Sequence, residues 1–286
     1  MPCRPDPIAA RRRRATGVVL GALVLALPIA GCGGSGDRPA HGDDGVGWRF
    51  RPLAAAPPFE TLSARQRATL APTRSNGLTC VAAPPVRRRH GPRDRRRRVA
   101  LTFDDGPSPY TAPILRELER RRARATFFQL GRQIGPYQHV VRQLVRRGHA
   151  LGNHSWSHPS LAPADARTRQ QLDDTAAAER RAVGHAGCLM RPPGGDIGER
   201  LDRLLRRRGQ QAVLWDVDPG DWSRPGARMI VTRVLQAVRP GSIVLLHDGG
   251  GDRSQTVAAV PWIVKGLRKR GYHLVTVPTL LGLRRR

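Results

Sequence analysis

From residue 98 onward the sequence predicts an α/β fold built on a parallel sheet, open or closed into a barrel. Three observations predict it. Short apolar runs alternate one for one with longer segments whose apolar residues recur at helical spacing, the pattern of repeated βαβ units. Several of the helical segments end in arginines followed by glycine (Gly148, Gly209, Gly271), a helix stop signal. The titratable clusters fall at the ends of the apolar runs, where such folds assemble their sites.

The chain has 286 residues, room for one catalytic-size domain and additional segments. Residues 1–31 read as a signal peptide, with Arg11 to Arg14 as its positive region and Ala15 to Ala30 as its apolar region. The segment ends in Ile29-Ala30-Gly31-Cys32, which resembles the bacterial lipobox and implies lipidation at Cys32. An ordinary signal peptide with Cys32 incidental is the alternative; both mean export. Residues 32–97 are expected to be a basic, low-complexity tether, mostly disordered, with a short helix near 58–70. Cys80 and Cys188 are the cysteines left once Cys3 is removed and Cys32 acylated. Export permits a disulfide between them, pinning tether to domain, with two free thiols as the alternative. The formal charge of +28 is nearly all arginine, since Lys265 and Lys269 are the only lysines. It reflects genome composition or attraction to an anionic polymer or surface. Aromatics make up 5% and no recognition motif is present, so nucleic acid is not expected.

In the domain, residues 98–280, the apolar runs predict strands over Val99–Phe103, Ala125–Leu130, His149–Asn153, Cys188–Arg191, Ala212–Val217, Ser242–Leu246 and His273–Val277. Helices are predicted over Ala112–Arg122, Gln138–Arg147, Ala164–Val183, Gly198–Arg208, Arg228–Val238 and Thr256–Arg270. The first strand is followed by Asp104 and Asp105, then Gly106-Pro107. Asp-Gly after apolar residues is also a turn signal. Two adjacent carboxylates at the end of a buried strand repel, however, unless a cation or a proton transfer separates their roles. The third strand leads into His154 and His158, which reach one metal if a helical turn starts there. The fourth leads into Arg191-Pro192-Pro193-Gly194-Gly195, the fifth into Asp218-Pro219-Gly220-Asp221-Trp222, and the sixth into His247-Asp248. His139, His149, His185 and His273 match no such cluster and are read as structural or surface residues.

In order, TFDDG, HSWSH, RPPGG, DPGDW and IVLLH resemble the motifs of the polysaccharide deacetylases, the NodB-homology domain of carbohydrate esterase family 4. The resemblance spans about Val99 to Val277. It implies a distorted, incomplete (β/α) barrel of seven to eight units and metal-dependent removal of acetyl groups from sugars. By position, it implies that Asp105, His154 and His158 hold a divalent metal, zinc first and cobalt or another divalent ion next. Asp104 would be the general base, oriented and held ionised by Arg191. His247 would be the general acid, with Asp221 raising its pKa. Trp222 and Leu245 would wall the acetyl pocket. The family usually has an aromatic after the two prolines, where this chain has Gly194; its N–H can still serve an oxyanion hole, but the aromatic wall of the sugar subsite is missing.

The reading that follows is an exported, membrane-tethered, monomeric deacetylase of an N-acetylglucosamine polymer, with peptidoglycan favoured because a basic protein suits an anionic wall. Chitin oligomers or acetylated xylan are the alternative substrates. A non-catalytic glycan-binding protein of the same fold has no need of the full catalytic set. An Asp-His-His iron oxygenase ordinarily uses an antiparallel β-fold and different spacing.

Overall fold

The computed structural model of the protein describes residues 96–283. The signal peptide, Cys32, the tether with its expected helix, and Cys80 lie outside the described residues.

Among these residues the sheet has seven parallel strands: β1 (Arg98–Gly106), β2 (Thr126–Gln129), β3 (Ala150–Asn153), β4 (Leu189–Met190), β5 (Gln211–Ala212), β6 (Ile243–His247) and β7 (His273–Leu274). The order is β5-β4-β3-β2-β1-β6, with β7 paired to the start of β1. The helices are α1 (Thr111–Arg120), α2 (Gly131–Ile134), α3 (Gln138–Arg146), α4 (Ala166–Val183), α5 (Glu199–Arg207), α6 (Ala227–Ala237), α7 (Ser254–Lys269) and α8 (Val277–Leu280). Beyond β5 the chain crosses to the far end of the strand order, where Val217 bridges Val244 of β6. The expected distorted, incomplete barrel is therefore what forms.

Strand alternation divides the core in two. Val99, Leu101 and Phe103 of β1 join the apolar residues of α1, α6 and α7 in the outer layer. Ala100, with Phe128, Leu189, Val213 and Ile243, lines the inner face, and Val277 and Leu280 of α8 pack against them. Each such side chain contributes about 1.5–3 kcal/mol when fully buried. The same alternation puts Thr102 and Asp104 on the inner face, above Ala100.

Three strand ends differ by more than one residue from the sequence reading. β1 does not stop at Phe103 but continues through both aspartates to Gly106. The fifth strand stops at Ala212 because the carbonyls of Val213 and Leu214 accept from the Arg191 side chain, at 3.1 and 3.2 Å. Asp216 then accepts from the N–H of Ile243 and the hydroxyl of Ser242, at 2.7 and 2.8 Å, which turns the chain onto β6. The seventh strand ends at Leu274 because Thr276 caps α8, whose first turn holds Pro278. α8 sits across the amino end of the barrel, where its Val277 N–H donates to Thr126 and Arg98 donates to the Thr279 carbonyl. α4 begins at Ala166, not Ala164, because the Asp165 carboxylate accepts from the Thr168 N–H at 2.8 Å.

Candidate active site

The two carboxylates at the end of β1 diverge because the strand bulges between them. Asp104 pairs with Phe128 and Gly106 with Gln129, so Asp105 is the extra residue, with φ of 69°. A bulge re-aims its side chain, and Asp tolerates this left-handed conformation better than most residues. The loop after β6 packs directly on the bulge. A Cβ on Gly249 would lie 2.1 Å from the Asp105 carbonyl oxygen, and one on Gly250 would lie 2.5 Å from Asp105 Oδ2. These two glycines are a backbone-approach signal that the sequence carries and the sequence analysis did not use.

His154 and His158 meet Asp105 through a tight loop, not the helical turn expected from their spacing. Ser155 and His158 both have positive φ, and Gln171 of α4 accepts from the N–H groups of Trp156 and Ser157 in place of a helical carbonyl. His154 Nδ1 is hydrogen-bonded to the Arg191 carbonyl at 2.7 Å, which directs its Nε2 at the aspartates. From Asp105 Oδ1, His154 Nε2 is 3.5 Å away and His158 Nε2 is 3.4 Å away. Three ligands at ordinary zinc distances in a tetrahedral shell stand about 3.4 Å apart, so the cluster fits one cation. Asp105 Oδ1 is buried without a hydrogen-bond partner, an orphan that a cation would satisfy. Burial alone would raise the Asp105 pKa, but His154, 3.5 Å away, and then the charges of His247 and His158 hold it down to about 2. Burial lowers the pKa of His158, against the pull of Asp105, which favours the neutral imidazole that ligation requires.

Arg191 fills the barrel interior. It is fully buried, stacks over Phe128 at 4.1 Å, and donates to Asp104 Oδ1 at 2.8 Å and to Thr102 at 2.7 Å. Across the mouth, His247 Nδ1 is hydrogen-bonded to Asp221 Oδ1 at 2.7 Å. The other Asp221 oxygen accepts from the His247 N–H and from Thr256. Burial depresses the His247 pKa, but the hydrogen bond and charge of Asp221, helped by Asp104 and Asp105, leave it raised.

Leu245 is buried on β6, one alternation before His247. Trp222 lies at the mouth and is 58% exposed. Gly194 is exposed in a turn with φ of 64°, and a Cβ there would meet nothing within 4 Å. The space beside Gly194 is open. Cys188 is disulfide-bonded, while Cys80 lies outside the described residues. Of the four histidines read as structural or surface residues, His149 is buried, its Nδ1 accepts from the Ala125 N–H, and burial lowers its pKa to about 4.

One residue beside the site was missed. Asp248 is buried, accepts from the Thr111 hydroxyl at 2.5 Å and leaves Oδ1 without a partner. Burial pushes its pKa up to about 7, against the Thr111 bond and with help from the Asp104 and Asp105 charges. Its only sequence signal is adjacency to His247.

The family profile described as Polysaccharide deacetylase matches residues 91–213. The chain is 41% identical over 187 residues to a peptidoglycan-N-acetylglucosamine deacetylase of Bacillus cereus, covering 64% of this chain and 87% of that protein. It is 38% identical over 209 residues to a chitooligosaccharide deacetylase of a Bradyrhizobium species, covering 68% and 95% respectively. Among solved structures, a peptidoglycan N-acetylglucosamine deacetylase bound to an N-hydroxybenzamide superimposes with a TM-score of 0.66 at 34% identity, covering 69% of this chain and 93% of that one. With motifs, fold and relatives in agreement, this chain belongs to the polysaccharide deacetylase family.

Proposed function

We propose that this deacetylase removes N-acetyl groups from an N-acetylglucosamine-containing polysaccharide, peptidoglycan, with Asp104 as general base and His247 as general acid. One observation carries the assignment: two hydrogen-bonded pairs of opposite design face the Asp105–His154–His158 cluster. In Arg191–Asp104 a buried cation anchors one oxygen of a carboxylate and leaves the other to accept a proton; in Asp221–His247 a buried carboxylate raises the pKa of an imidazole. The pair that ends in a carboxylate supplies the base and the pair that ends in an imidazole supplies the acid.

A divalent cation, zinc by the donor set and cobalt next, would be held by Asp105, His154 and His158, polarise the acetyl carbonyl and make water acidic enough to attack at neutral pH. Asp104, with Oδ1 bound by Arg191, uses Oδ2 to take the proton from that water. His247, with Nδ1 on Asp221, delivers a proton from Nε2 to the leaving nitrogen. Each proton transfer is worth roughly 10²–10⁴-fold. The Gly194 N–H assists at the oxyanion, and Leu245 and Trp222 bound the acetyl methyl and the mouth. Peptidoglycan is supported by the Bacillus cereus relative, by the excess of arginine, and by the exported architecture: signal peptide to residue 31, lipid anchor at Cys32, tether to residue 97, catalytic domain from residue 98. The Bradyrhizobium relative favours chitooligosaccharides as the second substrate class.

The test is acetate release from peptidoglycan, chitooligosaccharides and acetylated xylan, with metal-replete and chelated protein. Metal-dependent release, highest on peptidoglycan, is the expected result. Metal-replete protein inactive on all three would replace the enzymatic reading with glycan binding. A family 4 pseudoenzyme from Bacillus anthracis, 26% identical with a TM-score of 0.64, shares this fold.

A further inference from the structure

In a parallel barrel the helices run back from the carboxyl ends of the strands to their amino ends, so their C-termini gather opposite the active site. Here that face is rich in arginine. α1, α3, α4, α5 and α7 all have basic residues in their last turns. The basic runs continue past four of these helices, where Arg121, Arg147 and Arg208 pair with Glu117, Glu119 and Asp173 while Arg122 and Arg270 stay exposed, and the loops from all five to the next strand contain no Asp or Glu. A helix dipole accounts for charge within the last turn and not for charge beyond it. The opposite, catalytic face gathers Asp104, Asp105, Asp221 and Asp248.

β1 also starts on the arginine face, so residues 1–95, with the lipobox cysteine expected to carry the anchor, join the domain there. α8 covers the same end, and Arg284-Arg285-Arg286 follow it in sequence. We propose that this face docks on an anionic phospholipid membrane, turning the catalytic mouth away from it. The charges are spread around a barrel rim instead of lining one groove, which suits a flat array of headgroups better than a single polymer chain. On a chain whose lipobox predicts a lipid anchor, a basic face supplies the second of the two signals that stable membrane attachment requires. The inference does not depend on which glycan is deacetylated.

The test uses the full chain with Cys32→Ser, so that no acyl chain enters the comparison. It is floated at low salt with vesicles of phosphatidylcholine alone or of equal phosphatidylcholine and phosphatidylglycerol. The N-terminal residues contribute equally to the parent and to each variant. Each basic residue near an anionic surface is worth about fivefold in partitioning, so the anionic vesicles are expected to bind at least roughly tenfold tighter. Joint substitution of Arg122, Arg181, Arg207 and Lys269 by Gln should reduce the preference at least roughly tenfold. Joint substitution of Arg132, Arg167, Arg169 and Arg200 by Gln, an equal charge loss on the catalytic side, should keep it. Arg207→Glu alone, exposed on α5, should weaken it if the first variant fails to fold. Equal loss in both joint variants, no preference in the parent chain, or tighter binding of soluble poly(glycerol phosphate) than of the anionic vesicles at equal phosphate would each overturn the proposal.

Discussion

Replacing Arg191 with Met tests whether this side chain anchors the base. The guanidinium is fully buried and donates to Asp104, Thr102 and the carbonyls of Val213 and Leu214. Methionine keeps much of the volume over Phe128 and none of the donors. Removing one partner of a buried ion pair costs about 3–5 kcal/mol, because the other charge is left uncompensated. The two orphaned carbonyls add about 1–3 kcal/mol each where water does not reach them. That sum is comparable with the whole stability of a domain, about 5–15 kcal/mol. The folded variant leaves Asp104 without the donor that orients it, which disables the base. Arg191→Met should therefore lose at least about 3 kcal/mol in urea titration. Its acetate release at neutral pH should fall by roughly 10²–10⁴-fold. Arg191→Lys keeps the charge without the fork and should fall between the two. An Arg191→Met protein within about 1 kcal/mol of the parent, with acetate release near the parent rate, would refute the reasoning.

Three further outcomes are expected. Asp221→Asn removes the hydrogen bond and charge that raise the His247 pKa, so activity should fail at a lower pH on the alkaline side; an unmoved alkaline limb would show that Asp221 does not tune His247. Glu179 of α4 is fully buried, and burial pushes its pKa from 4.5 up to about 7, against the Gly187 N–H and Arg180. A raised pKa means stability that is complete below 4.5 and lost as pH rises through about 7. Glu179→Gln should abolish that loss, worth up to about 3 kcal/mol, which melting temperatures at acid and alkaline pH will show. In Gly106→Ala the new Cβ lies 2.1 Å from Asp248 Oδ2, between buried groups, so the bulge must shift. About 1–3 kcal/mol and part of the metal affinity should go with it. Gly194→Ala meets no atom within 4 Å and should cost only its positive φ, about 1–2 kcal/mol; equal losses in the two variants would contradict this packing.

The alternation of strands and helices was legible because each element announces itself through local periodicity. The motif residues were legible because a parallel fold puts strand ends on one face, and the structure brings Asp104, Asp105, His154, His158, Arg191, Asp221 and His247 together there. What was not legible depends on contacts made across the barrel. The Val213 and Leu214 carbonyls leave the sheet because Arg191, distant in sequence, takes them. Asp105 turns away from Asp104 by a bulge, not by simple alternation, and Gly249 and Gly250 make room for it. The two histidines have helical spacing but meet in a loop whose N–H groups are satisfied by Gln171. Asp248 carries no signal of its own, since its burial comes from the chain around Gly106 and Thr111.

The central claim is that one aspartate binds the cation while its neighbour moves the proton. Metal content and acetate release measured on the same preparations of the parent chain, Asp104→Asn and His158→Ala test it most directly. The account predicts metal without turnover in Asp104→Asn, and loss of both in His158→Ala. Turnover in metal-loaded Asp104→Asn near the parent rate, or full metal content in His158→Ala, would contradict it.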